Sequence, residues 1–159
     1  MDSSYSRSNK SFIDRLIENC EKAKAASPVN EFVLQNLSQL DGMKQAIYVI
    51  EQVDGSEEAV FEVFSRYKNK NERKCAKLNS PSKIMYVGSS TTGVRKRIEQ
   101  HKGEGHAGTY ALHLKHWFRS NYKITIKQYS ECKEVLQIIE DDLSDRLKPA
   151  FGKQGGNNK

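Results

Sequence analysis

The sequence predicts an α/β domain in which a small, mostly antiparallel three-stranded sheet is flanked by helices, with an N-terminal helical extension. Three observations predict it. Apolar runs of strand length occur at residues 45–53, 84–88 and 122–129. Apolar residues at helical spacing occur at residues 94–101 and 131–147. Turn signals such as Asp54-Gly55, and the glycine-bounded stretch from Gly88 to Gly93, separate the two kinds of run.

Taken in order, residues 1–10 are rich in Ser and Asn and are expected to be a disordered tail. Residues 11–26 read as a helix carrying Phe12, Ile13, Leu16 and Ile17, ended by Ser27-Pro28. Asn30 is placed to cap a second helix through Phe32, Val33, Leu34, Leu37 and Leu40, which Gly42 stops. This extension, residues 11–42, is expected to cover a face of the sheet. Dimerisation or DNA contact is its functional alternative.

The first strand, residues 45–53, puts Ala46, Tyr48 and Ile50 on one face by alternation. Residues 56–82 then interrupt the strands. A helix from Glu57 to about Arg66 carries Val60, Phe61, Val63 and Phe64, and a basic, polar run follows at residues 66–74. That run is either a solvated loop or an insertion that clamps DNA, with Tyr67 as a stacking group among cations. Its Lys68, Lys70, Arg73 and Lys74 are candidate nucleic-acid contacts.

The second strand, Ile84-Met85-Tyr86-Val87-Gly88, leads through Ser89-Ser90-Thr91-Thr92-Gly93 into a basic helix. Ser90, Thr91 or Thr92 is expected to cap it, and exposed amides there suit an anion. At about 100° per residue, Val94 and Ile98 form an apolar ridge. Arg97 and His101 stand together on its flank, while Arg95, Lys96 and Glu99 point away.

Residues 102–108 form a glycine-rich loop with His106. Residues 109–119 are expected to be a helix holding Tyr110, Leu112, Leu114, Trp117 and Phe118. The third strand follows, and then a long helix whose buried stripe is expected to be Cys132, Val135, Leu136, Ile139 and Leu143. Residues 153–159 are expected to be a flexible tail.

Composition bounds the function. The chain of 159 residues reads as one domain with extensions, enough for a real core at 36% hydrophobic residues. Lys and Arg outnumber Asp and Glu by 26 to 20, and the net charge of +6 favours a polyanionic partner. No apolar run approaches the ~18 residues of a membrane span, and the polar start lacks a secretory h-region. Cys20, Cys75 and Cys132 are odd in number and far apart, so they are expected to be reduced thiols of a cytoplasmic or nuclear protein. No phosphate-binding GxxxxGK[ST] loop and no GxSxG elbow occurs. His113 and His116, three apart, are expected to be packed or exposed helix histidines, with zinc as the alternative.

These residues resemble the GIY-YIG nuclease superfamily. Ala46-Ile47-Tyr48 resembles the first half of its signature and Tyr86-Val87-Gly88 the second. Arg97 and His101 stand where the family has an arginine on the next helix and, in many members, a histidine four residues later. Glu140, with Pro149 downstream, resembles the family's metal-binding glutamate. Helical spacing alone does not choose between Glu140 and Asp142. The resemblance covers roughly residues 44–152 of a nuclease domain expected at residues 43–152, and implies a Mg²⁺-dependent DNA endonuclease, with Mn²⁺ able to substitute.

It implies roles as well. Tyr48 would activate water as general base, with Arg97 and a metal lowering its pKa and His101 taking up its proton. Tyr86 would position water or phosphate, Arg97 would hold the scissile phosphate, and Glu140 would hold the metal. Arg95, Lys102 and His106 join the insertion's cations as candidate DNA contacts. His106 resembles a loop histidine of some homing endonucleases.

Three departures are visible. Ala46 replaces the first glycine, a long insertion separates the half-motifs, and Gly152 stands where the family often has asparagine, with Asn157 or Asn158 as substitutes. A restriction-type or structure-directed enzyme is expected, possible as a homodimer through the N-terminal helices or the insertion. An inactive nucleic-acid-binding module on the same fold is the alternative.

Overall fold

The structure, a computed structural model, describes residues 10–153; of the tails expected at residues 1–10 and 153–159, residues 1–9 and 154–159, with Asn157 and Asn158, lie outside the described residues. Among the described residues the α-helices are α1 (Phe12–Ala25), α2 (Glu57–Asn69), α3 (Val94–Lys102) and α4 (Lys133–Leu147). The strands are β1 (Asn30–Val33), β2 (Ala46–Gln52), β3 (Ile84–Ser90) and β4 (Tyr122–Gln128). They form one antiparallel sheet in the order β1-β4-β2-β3. The α/β class is as expected, but the sheet has four strands rather than three.

The fourth strand comes from the segment expected to be a second helix. Residues 30–33 pair with β4, and flanking amides add Val29 N–H to the Gln128 carbonyl (2.7 Å) and Leu34 N–H to the Ile124 carbonyl (2.8 Å). The open edge of β4 offers unpaired backbone groups, and a short run with aromatic and β-branched residues satisfies them better as a strand. Of the expected helix only a 3₁₀ turn remains, Leu37–Leu40. The Gln39 side-chain oxygen accepts the amides of Gln35 (2.7 Å) and Asn36 (3.1 Å) at its start.

The inner strand β2 is buried along nearly its whole length. Ala46, Tyr48 and Ile50 face the main core, as alternation predicted. That core is filled by Phe64, Trp117 and Phe151, whose ring centroids lie 4.3–6.3 Å apart.

Phe64 belongs to the insertion, which is therefore not a solvated appendage. Helix α2 runs past Arg66 to Asn69 and buries Phe64 and Tyr67. Tyr67, 6% exposed, is not available as a stacking platform. The chain after α2 is stitched to the body by bridges from Cys75 to Ala111 and from Leu78 to Phe151.

The helix expected over residues 109–119 does not form. Only a 3₁₀ turn, Leu114–His116, is helical, and His113 before it has left-handed φ 53°. The backbone groups a helix would pair internally are taken by neighbours. Ala111 N–H donates to the Lys74 carbonyl (3.3 Å), and the Ala111 carbonyl accepts from Ala76 (3.1 Å). The Leu112 carbonyl accepts Trp117 Nε1–H at 2.6 Å.

Helix α1 packs against α4 rather than covering the sheet. Its Phe12, Ile13, Leu16 and Ile17 remain exposed. Helix α4 packs on β3, and its buried stripe is Val135, Leu136, Glu140 and Ser144. Cys132 is exposed at its start, and Ile139 and Leu143 are only half-buried. All three cysteines are free. No helix among the described residues is long and apolar enough to cross a membrane.

Candidate active site

A cleft of about 530 Å³ runs along β3, the edge strand, between residues of α3 and residues of α4. Tyr48, Tyr86, Gly88, Arg97 and Glu140 all line it. Four of the five expected catalytic side chains thus face one space. The fifth, His101, is completely buried behind Tyr48.

Strand register builds the aromatic wall. Tyr48 stands directly opposite Gly88 on the neighbouring strand, and Tyr86 precedes Gly88 by two, on the same face. The Tyr48 and Tyr86 rings stack with centroids 6.2 Å apart. The rings lie over the space a side chain at residue 88 would fill. A Cβ there would sit 2.5 Å from Tyr48 Oη and 2.8 Å from Tyr86 Cε1. Glycine is required by the two tyrosines, not by the turn that follows.

Helix α3 supplies the polar side of this wall. Its ridge of Val94 and Ile98 is fully buried, and Arg97 and His101 stand beside it as the spacing predicted. None of Ser90, Thr91 and Thr92 caps it: Gly93 is the capping residue, without a side-chain bond. Ser90 Oγ instead accepts the Gly93 amide (3.1 Å), and the first helical amide, Val94 N–H, donates to the Met43 carbonyl (3.1 Å). That amide is thus already used within the fold rather than offered to an anion.

Arg97 is held by three acceptors. It donates to Tyr86 Oη (3.3 Å), the Tyr110 carbonyl (3.0 Å) and Gln100 Oε1 (2.9 Å). His101 Nδ1 accepts the Leu112 amide at 3.2 Å, so neutral His101 carries its proton on Nε2. Nε2–H then donates to Tyr48 Oη at 3.0 Å. Burial holds His101 well below the usual histidine range, with Arg97 and His113 adding to the effect.

Two expected roles are corrected by this arrangement. His101 has no free lone pair toward Tyr48 and does not take up its proton; it positions Tyr48 by donating to it. Arg97 does lower the proton affinity of Tyr48, but burial outweighs it and pushes the phenol far above its ordinary value. Tyr48 is therefore a neutral phenol at pH 7, with its own O–H left for an acceptor other than His101.

The opposite wall is α4. Glu140 is 5% exposed, and its Oε2 accepts Gln137 Nε2–H at 2.5 Å. Burial raises its pKa, while Gln137, the Ser89 side chain and Lys153 pull the other way. Asp142, which spacing left equal to Glu140, is exposed and pairs with Arg146 at 2.8 Å. The wall choice is thus settled by how α4 packs on β3. Among the described residues no cluster of three or more His, Cys, Asp or Glu is placed to hold a metal. A hard cation that keeps most of its waters needs only a single carboxylate in a roomy polar cleft, and Glu140 offers that.

The structure adds cleft residues that the sequence did not signal: Ser89, Lys133, Glu134, Gln137 and Lys153. Gln137, three residues before Glu140, was legible in principle from helical spacing. Lys153 was not, because it follows the last element in a stretch that reads as a tail.

The candidate DNA contacts are placed elsewhere. None of Lys68, Lys70, Arg73, Lys74, Arg95, Lys102 and His106 lines the cleft. Lys68 donates to the Ala76 carbonyl (3.1 Å) and Arg73 to the Gly105 carbonyl (3.0 Å), bracing the insertion. Lys74 lies over the Tyr110 ring at 5.8 Å. Arg95 pairs with Asp41 at 2.6 Å. Lys102 lines a separate groove with residues 33–37 and 122–124. Lys70 and His106 are exposed, and His106 Nδ1 accepts the Gly108 amide (2.8 Å).

His113 and His116 are structural staples. His113 Nε2 lies 2.9 and 3.0 Å from the Lys74 and Thr109 carbonyls, and His116 Nε2 lies 3.1 Å from that of Gly103. Comparison with protein-family models, curated proteins and solved structures finds no match to this chain.

Proposed function

We propose that this chain is a Mg²⁺-dependent DNA endonuclease of the GIY-YIG type, hydrolysing phosphodiester bonds. One observation carries the reading: two tyrosines, an arginine and a buried carboxylate, drawn from β2, β3, α3 and α4, line a single cleft. Such a set supplies what phosphodiester hydrolysis needs. Arg97 offers a donor fork to the attacked phosphate. Tyr48, a neutral phenol held by His101, orients the attacking water through its hydroxyl, and the proton that water loses passes to solvent through the open cleft. Tyr86, bonded to Arg97, fixes that guanidinium. Glu140 would hold the cation, which when bound supplies charge neutralisation and stabilises the leaving oxygen.

The missing asparagine has a steric counterpart. Gly152 has φ +105°, and a Cβ there would meet Tyr86 Cε2 at 2.7 Å, so asparagine does not fit this packing. Asn79 reaches the same strap from the insertion, donating to the Pro149 (3.1 Å) and Gly152 (3.0 Å) carbonyls.

The test is incubation with supercoiled and branched DNA plus Mg²⁺ or Mn²⁺. Nicking that is lost in Arg97→Ala supports the enzyme. Preference for branched over linear duplex separates a structure-directed enzyme from a restriction type. Absence of cleavage by the parent protein, alongside salt-sensitive DNA binding, would favour instead the non-catalytic binding module on this fold. The high proton affinity of buried Tyr48 is the observation behind that second reading.

A further inference from the structure

The strap that follows α4 ends in the cleft and carries a cation there. Helix α4 stops at Lys148, which takes a left-handed conformation with φ 51°. The chain then runs along β3. Ala150 N–H donates to the Ile84 carbonyl (2.8 Å) and Phe151 N–H to the Met85 carbonyl (3.0 Å). On its other side the strap is gripped by the insertion. Asn79 N–H donates to the Ala150 carbonyl (2.8 Å), its side-chain amide donates to Pro149 and Gly152, and Gly152 N–H donates to the Lys77 carbonyl (2.8 Å). A Cβ on Gly152 would meet Tyr86 Cε2 at 2.7 Å and Cδ2 at 3.0 Å, so the strap passes close to that ring.

The residue after Gly152 has little freedom in where it begins. Lys153 is half-buried and lines the cleft with Arg97 and Glu140. The cleft's charged lining is then Arg97, Lys133 and Lys153 against Glu134 and Glu140. If Glu140 is committed to a cation, the remaining positive charges have only Glu134 as protein counter-charge within this lining. A phosphate is the ligand such a set would take.

We propose that Lys153 is a phosphate-binding residue of the cleft, delivered beside Glu140 by the strap that Asn79 clasps. The proposal rests on the nuclease reading for its substrate, a DNA strand. Lys153 would contact a non-bridging phosphate oxygen, and Asn79 would act only through the strap as a positioning residue. The clasp also gives the insertion a function. It holds one wall of the site instead of reaching for DNA with its own cations.

The experiment compares the parent with Lys153→Met, Lys153→Arg and Asn79→Ala in two readouts. The first is binding of a fluorescent DNA duplex across a salt series, with Ca²⁺ in place of Mg²⁺ so that a hard cation is present at Glu140. Lys153→Met is expected to weaken binding about tenfold and to lower the salt slope by about one. Lys153→Arg restores both. Asn79→Ala is expected to lose affinity in the same direction with an unchanged cation count on the chain, a result that a general loss of charge does not give. The second readout is cleavage with Mg²⁺, where Lys153→Met is expected to raise KM more than it lowers kcat. Unchanged binding and slope in Lys153→Met overturns the proposal while leaving the nuclease reading intact if the parent cleaves. A parent that binds but never cleaves sinks the nuclease reading, yet the salt slope still reports on Lys153. Wild-type affinity in Asn79→Ala, with Lys153→Met impaired, overturns the clasp.

Discussion

Replacing Gly88 with alanine puts a methyl group where two buried rings already are. The new Cβ would sit 2.5 Å from Tyr48 Oη, 2.7 Å from Tyr48 Cζ and 2.8 Å from Tyr86 Cε1. Ordinary van der Waals contact begins at 3.4 Å, so the Tyr48 hydroxyl must retreat by about 0.9 Å. It has nowhere easy to go. Tyr48 is 1% exposed, sits on an inner strand, and is bonded to His101 at 3.0 Å. Overpacking of this kind costs about 1–3 kcal/mol, and stretching the Tyr48–His101 bond adds ~1 kcal/mol. A total of roughly 2–4 kcal/mol corresponds to a fall in Tm of about 5–15 °C for a domain of this size. The assay is thermal unfolding by circular dichroism, with urea midpoints at a common slope as a cross-check. Gly93→Ala is the control, because nothing lies within 4 Å of a Cβ there; it should cost at most ~1 kcal/mol as an unfavoured cap. If the enzyme reading holds, Gly88→Ala also loses cleavage by on the order of a hundredfold, since a shift near 1 Å at a reacting group is that costly. A Gly88→Ala protein that melts within 2 °C of the parent, about the effect of one weak contact, would refute the argument that the tyrosine pair demands a glycine.

Other outcomes follow from the same structure. His101 is buried neutral with its pKa lowered, so the unfolded chain binds a proton there that the folded chain refuses. Its contribution to stability is therefore lost as pH falls below ~6.5, with a slope of up to about 1.4 kcal/mol per pH unit. Glu140, with its pKa raised, slopes the opposite way above the ordinary carboxylate range, so the readout is the difference in unfolding free energy between parent and His101→Gln from pH 7 to 5. An unchanged pH dependence in the variant would remove His101 as the cause. Phe64→Ala, which opens a cavity against Trp117 and Phe151, is expected to cost about 3–5 kcal/mol, whereas a peripheral insertion would lose little; urea titration decides it. Glu140→Gln removes a carboxyl that burial already disfavours, so it should leave Tm within a few degrees and, if the enzyme reading holds, abolish Mg²⁺-dependent cleavage. Retained metal-dependent cleavage in that variant would take Glu140 out of the site.

Local chemistry determined a good deal here by itself. The period of two in β2 and β4 and the ridge of Val94 and Ile98 depend only on neighbours in sequence, so they are legible from it. So is the pairing of Arg97 with His101 on one flank, because four residues make about one helical turn. Tertiary contacts decided the rest. Residues 30–33 became a strand because β4 had an open edge, which no local propensity records. Residues 109–119 stayed irregular because Lys74, Ala76 and His101 claimed the backbone groups a helix would have used. The choice of Glu140 over Asp142 was made by the face α4 lays on β3. The protonation state of Tyr48 was set by burial and by a histidine donor whose tautomer depends on the amide of Leu112. Lys153 lines the cleft at the end of a strap to which Asn79, seventy-odd residues earlier, is hydrogen-bonded. Sequence fixes what each residue can offer over one or two turns of chain. Which groups are dry, and which partner reaches them, depends on segments far apart in sequence, and those two facts set the chemistry of the site.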